Sequence, residues 1–173
     1  MDKKRLLVDM DGVMADVYAQ FMAWEFRATG IQYRREDVIG VDEVQAFPNG
    51  KKHVYQKYFF ESMPVMENAV EIMRQLTHAY ELFIVTAAME FPNSLPEKYR
   101  WLDTHFPFIH WKRRVFCGDK SVIQGDILID DHFKNLDTFS GKTYLFTQPH
   151  NANSTDHGHE RVANWLEIAE KLL

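Results

Sequence analysis

Cysteine is nearly absent: Cys117 stands alone among 173 residues, so no internal disulfide can form and a reducing compartment is expected. Long apolar runs are missing too. The basic opening MDKKRLLVDM is cut short at Asp9 and again at Asp11, well before the roughly 20 apolar residues a membrane span needs or the apolar core of a secretory signal. A cytoplasmic location is therefore expected. There is no block of like charge, and the net charge is −5, so neither polymeric nucleic acid nor an anionic membrane is expected as a partner. A single small phosphate ester stays compatible, because one phosphate needs only one local positive centre. Internal repeats and low-complexity tracts are likewise lacking.

What is present is ordinary globular material, 46% apolar and 26% charged, in a length that suits one domain with an insertion. Short apolar runs at Arg5–Asp9, Glu81–Thr86, Arg114–Cys117, Ile127–Asp130 and Thr143–Phe146 read as strands. Between them, 3.6-residue periodicity predicts helices over Asp16–Thr29, Asn68–Ala79, Glu97–Phe106 and Glu160–Leu172. Asp16 reads as the cap of the first helix and Gly30 as its stop, while Asn68 with Glu71 reads as the cap of the second. Strands alternating with helices predict an α/β three-layer sandwich with a parallel, Rossmann-like sheet. Residues 18–66 break the alternation and read as a small, mostly helical cap. Residues 1–17 and 67–173 then form the core domain.

Three strands run into polar residues: LLV into Asp9, FIV into Thr86 and ILI into Asp130-Asp131. Carboxyl ends of parallel strands share one rim, where ligands bind. Asp9, Asp11, Thr86, Asp130 and Asp131 should therefore meet, with Lys120 in reach from beyond the Cys117 strand. Two carboxylates ~4 Å apart repel by roughly 4 kcal/mol at an effective dielectric of ~20, so the cluster calls for shared protons or a cation. An all-oxygen donor set suits Mg²⁺ and argues against zinc. Asp9 could then attack phosphorus in line, and Asp11, two residues on, could serve as acid and base. Gly12 allows a tight turn beside the phosphate.

DMDGV at 9–13, Thr86 after a strand, Lys120 and Asp130-Asp131 together resemble the four motifs of haloacid dehalogenase (HAD-like) phosphatases. LLVDMDGVMAD (6–16), FFESMPVMENAV (59–70), PEKYRWL (96–102) and DKSVIQGDILIDD (119–131) resemble, more narrowly, the 5′(3′)-deoxyribonucleotidases. That resemblance implies Asp9 as nucleophile and metal ligand, and Asp11 as acid/base whose backbone carbonyl joins the metal. It also implies Thr86 and Lys120 as phosphate holders, and Asp131 as a metal ligand backed by Asp130. The implied substrate is a deoxyribonucleoside monophosphate whose base stacks on cap aromatics. Mammalian members carry Ser and Arg where this chain has Ala87 and His132, and their mid-cap tryptophans have no counterpart here. Base preference therefore does not carry over.

Two other functions compete. One is a HAD-type phosphatase acting on a sugar phosphate. The other is a phosphoryl-binding module without turnover, disfavoured because in receiver domains the acidic pair precedes the phospho-acceptor. Among the remaining residues, Asp126 lies at a strand start ~13 Å from Asp130, at ~3.3 Å per residue, and reads as structural. Ten aromatics fall between Tyr18 and Phe60, and most read as core. Cys117 reads as an inert strand residue. His150, His157 and His159 read as members of a solvated polar loop.

Overall fold

Every apolar run read as a strand forms one, and a sixth strand joins them. The computed structural model describes residues 3–173. In chain order the elements are β1 (Arg5–Val8), α1 (Val17–Thr29), α2 (Gly50–His53), α3 (Ala69–Ala79), β2 (Glu81–Thr86), α4 (Ser94–His105), β3 (Arg114–Phe116), β4 (Ile127–Asp130), α5 (Phe133–Leu136), β5 (Lys142–Phe146), β6 (Glu160–Val162) and α6 (Trp165–Leu172). The strands pair in parallel in the order β3-β2-β1-β4-β5-β6. β1 thus sits between β2 and β4, at the point where the strand order reverses, and the ends of β1 and β4 open into the crevice where such sheets bind ligands.

Side-chain alternation assigns the two faces. Leu6, Val8, Ile84, Ile127 and Ile129 point into the larger core with Ala69, Ile72 and Met73 of α3, Trp101 of α4 and Trp165 of α6. Leu7, Val85, Leu128 and Leu145 face the other way, against Leu136 and Phe133 of α5 and Phe139. Buried Leu128 fills that thinner layer, where truncation to Ala would cost about 2–5 kcal/mol.

Helix boundaries differ from expectation in three places. Glu160–Val162 was expected to open the last helix but instead pairs along β5, Tyr144 to Glu160 and Phe146 to Val162. The exposed edge of β5 offers ladder hydrogen bonds that a frayed first helical turn cannot match. Asn164 then caps α6 by accepting from Glu167 N at 3.0 Å, while the Glu167 carboxylate reaches back to Ala163 N at 2.8 Å. That reciprocal Asn-x-x-Glu pattern is the sequence signal for the true helix start. Asn68 adopts a left-handed conformation, φ 62°, and makes no side-chain cap. α4 begins at Ser94, with Pro96 tolerated in its first turn. Asp16 does cap α1, accepting from Ala19 N at 2.9 Å, and Gly30 closes it with φ 74°.

No strand interrupts the segment between α1 and α3. Phe21, Phe47, Val54, Phe59 and Phe60 pack there in continuity with the main core. Buried Glu25 of α1 holds the middle of the segment, accepting from Asn49 Nδ2 at 2.8 Å and Asn49 N at 3.2 Å and pairing with His53 Nε2 at 2.9 Å.

Candidate active site

The loop leaving β1 carries Asp9 and Asp11 and is pinned on several sides. Asp9 N donates to Ile129 O at 2.9 Å, Trp165 Nε1 to Val13 O at 2.8 Å, and Gln148 Nε2 to Gly12 O. Gly12 has φ 78°, and a Cβ there would lie 2.1 Å from Asp131 Oδ2. The glycine is thus required by close approach to the second acidic strand end as well as by the turn.

Asp9, Asp130 and Asp131 are buried and place one carboxylate oxygen each within 4.8 Å of one another. Their surroundings divide them. Asp130 is saturated with donors: His132 N at 2.9 Å, Asn135 Nδ2 at 3.0 Å and Lys120 Nζ at 2.6 Å. Burial alone would raise its pKa, but Lys120 outweighs it and holds Asp130 below the carboxylate norm. Asp131 has the opposite balance. Burial pushes its pKa well up, and its Oδ1 is buried without a hydrogen-bond partner. Asp11 Oδ1 is likewise partnerless. Burial raises Asp9 to about 6, with Lys120 as the main opposing influence.

Partnerless buried carboxylate oxygens cost free energy unless protonated or bound to a cation. The candidate ligands gathered here, Asp9, Asp130 and Asp131, are all carboxylates, oxygen ligands of the kind a hard divalent ion takes. The residues therefore fit such an ion, with Asp131 and Asp9 as side-chain ligands and Asp130, already committed to donors, behind them.

Two lysines supply positive charge. Lys120, expected to reach the rim, bonds both Asp9 and Asp130. Burial disfavours its charge, yet those carboxylates hold its pKa above the usual lysine value. Lys98, which sequence reasoning missed, is buried on α4 and bridges Asp11 Oδ2 and Thr86 Oγ1, the latter at 3.0 Å. Its signal was available: Lys98, Trp101 and Leu102 share the inward stripe of one helix, and a lysine on an apolar stripe needs a buried partner. Its neighbour Glu97 was missed too. It accepts from Tyr58 N at 2.7 Å, Phe60 N at 3.0 Å and Glu61 N at 3.3 Å.

His150 lies elsewhere than expected. Its side chain is largely buried, with Nε2 2.9 Å from Asp131 O and its ring stacked 4.3 Å from that of His132. Glu43 closes this group at 3.5 Å from His132 Nε2. Burial opposes charge on His132, but Asp131 and Glu43 outweigh it and lift its pKa to about 10. Burial likewise opposes the Glu43 carboxylate, yet His132 brings it down to about 2. Asp126 sits at the opposite rim and accepts from Arg5 N at 2.6 Å, a structural contact. Trp24 packs edge-on against Phe59 and His53 in the core.

The strand order thus gathers the strand-end acids and two lysines at one rim of a parallel α/β sheet. Solved structures share this fold. A haloacid dehalogenase-like hydrolase from Streptococcus pneumoniae aligns over 99% of each chain with a TM-score of 0.67 and 12% identity. A HAD-hydrolase from Bacillus subtilis bound to magnesium aligns over 99% of each chain at 0.59 and 13% identity. The 5′(3′)-deoxyribonucleotidases of Bacillus subtilis strain 168 and Bacillus phage SPbeta are each 36% identical over 174 residues, covering 99% of this chain and 99% of theirs. Residues 3–173 match the family described as 5′ nucleotidase, deoxy (Pyrimidine), cytosolic type C protein, and the chain belongs to that family.

Proposed function

We propose that the protein hydrolyses a deoxyribonucleoside monophosphate to nucleoside and phosphate through a phospho-aspartate on Asp9. The observation that carries this is the buried, partnerless Oδ1 of Asp131 beside Asp9, with Lys98 and Lys120 on the same rim. Asp9, Asp131 and the backbone carbonyl of Asp11 would hold magnesium, which would supply the charge that admits a phosphate dianion to an acidic pocket and offsets charge developing on its oxygens.

Asp9 attacks phosphorus, and the bond from phosphorus to the sugar oxygen breaks as Asp11 gives that oxygen a proton. In the second half, Asp11 takes a proton from water, the resulting hydroxide attacks phosphorus, and the Asp9 carboxylate leaves. Lys98 and Thr86 grip the phosphoryl oxygens from one side. Lys120 orients Asp9 and keeps Asp130 ionised. In this reading residues 18–66 act as the cap over a core of 1–17 and 67–173. Tyr55 and Phe91, paired edge to face at 5.8 Å and adjoining Phe60, offer the base its stacking partners.

Phosphate release from nucleotide and sugar monophosphates, compared by kcat/KM with and without Mg²⁺, tests the substrate class. A preference for sugar phosphates would overturn it. Asp9→Asn should abolish turnover while keeping the melting temperature, and an active Asp9→Asn protein would remove Asp9 as nucleophile.

A further inference from the structure

At the opposite rim, where β5 and β6 begin, a second constellation has no part in the reaction proposed above. His159 Nε2 lies 2.9 Å from Asp137 Oδ1, and His157 Nδ1 lies 3.3 Å from the same carboxylate. We propose that Asp137, His157 and His159 form a surface site for a first-row transition-metal cation of the Zn²⁺ type.

Ligand chemistry points there first. Two imidazoles and one carboxylate suit zinc and its neighbours and do not suit magnesium, which takes oxygen. Spacing agrees. Bonds of ~2.0–2.2 Å to a tetrahedral ion set neighbouring donor atoms roughly 3.3–3.5 Å apart, so separations of 2.9 and 3.3 Å need only a small expansion.

Orientation is already arranged. Thr143 Oγ1 lies 2.8 Å from His159 Nδ1. With Nδ1–H donated to that hydroxyl, Nε2 turns a lone pair toward Asp137, the way an outer partner fixes a metal-bound imidazole. His157 and Gly158 are both left-handed, φ 51° and 89°, which turns residues 157 and 159 toward one carboxylate. Phe133 packs its ring 4.1 Å from that of His157. The side chains of Asp137 and His157 are each 44% exposed and that of His159 is 9% exposed, so an ion can enter from solvent and keep a water as fourth ligand.

The experiment is a zinc titration by calorimetry of the Mg²⁺-saturated full chain, repeated on Asp137→Asn and on the double variant His157→Gln, His159→Gln. Wild type should bind one more Zn²⁺ than either variant, or bind it at least tenfold more tightly. Phosphatase turnover should be unchanged in both variants, which separates this site from the catalytic one. Identical stoichiometry and affinity in wild type and Asp137→Asn would overturn the assignment, and that variant decides the matter if the double variant fails to fold. Substoichiometric Cu²⁺ should broaden the amide signals of Phe133, Thr143 and His159. Broadening confined to residues 9–11 and 130–132 would equally refute it.

Discussion

Replacing Asp131 by Asn should stabilise the metal-free protein while destroying its response to magnesium. Carboxylate oxygens of Asp9, Asp130 and Asp131 lie within 4.8 Å of one another. At an effective dielectric of ~20, each ionised pair at that distance repels by about 3.5 kcal/mol. Lys120 compensates Asp9 and Asp130, and His132 offsets part of the Asp131 charge, but nothing hydrogen-bonds Asp131 Oδ1. An Asn amide keeps the shape, removes one charge and can donate to the remaining carboxylates. Part of the repulsion is already relieved by the raised pKa of Asp131, so a gain of about 1–3 kcal/mol is expected, within the range seen when buried charges are removed. For a chain of this size that is a rise of roughly 2–12 °C in Tm, at about 2–4 °C per kcal/mol. Wild type should in turn gain about 2.7 kcal/mol from magnesium at 100 times its Kd, and the variant should gain nothing. Differential scanning calorimetry with EDTA and with excess Mg²⁺ reads both quantities. An Asp131→Asn protein that melts lower than wild type in EDTA and still responds to magnesium would refute the reasoning.

Lys98→Met should lower kcat/KM by about 10²–10³-fold, the usual loss for one preorganised donor to a reacting oxyanion; steady-state phosphate release measures it. Gly12→Ala should cost about 2–4 kcal/mol in urea unfolding, because a left-handed alanine costs ~1–2 kcal/mol and its Cβ must displace the buried Asp131 carboxylate. Glu25→Gln should cost about 1–3 kcal/mol at pH 7. Burial opposes the Glu25 charge, but Asn49 and His53 outweigh it and hold its pKa below the usual 4.5. Its stabilisation is thus complete above pH 4.5 and fades as pH falls through the lower folded value. The gap between wild type and Glu25→Gln, measured by urea unfolding at a series of pH values, should narrow on acidification. A gap that widens instead would refute the assignment.

Strand-end chemistry was legible because it is local: an apolar run followed by Asp or Thr places that residue on the rim whatever else the fold does. Asp9, Thr86 and Asp130-Asp131 follow from that rule alone. Lys98, Glu97 and Glu25 were harder, since each is a charged residue on a helix that meets its partners only through tertiary packing. Periodicity held the clue for Lys98, on the stripe of Trp101 and Leu102. β6 was hidden for a related reason. Three residues with one buried side chain carry no period of their own, and only the open edge of β5 makes them a strand.

Glu97 and Lys98 are consecutive residues with divided loyalties. The first grips three amides of the segment at 58–61 from below, and the second delivers its ammonium to Asp11 and Thr86. Any slide or rotation of α4 must therefore move the segment at 58–61 and the Lys98 ammonium together. Chimaeras that graft a foreign 18–66 segment onto this scaffold should carry the first turns of α4 along with it, because one peptide unit ties that segment to the acidic rim.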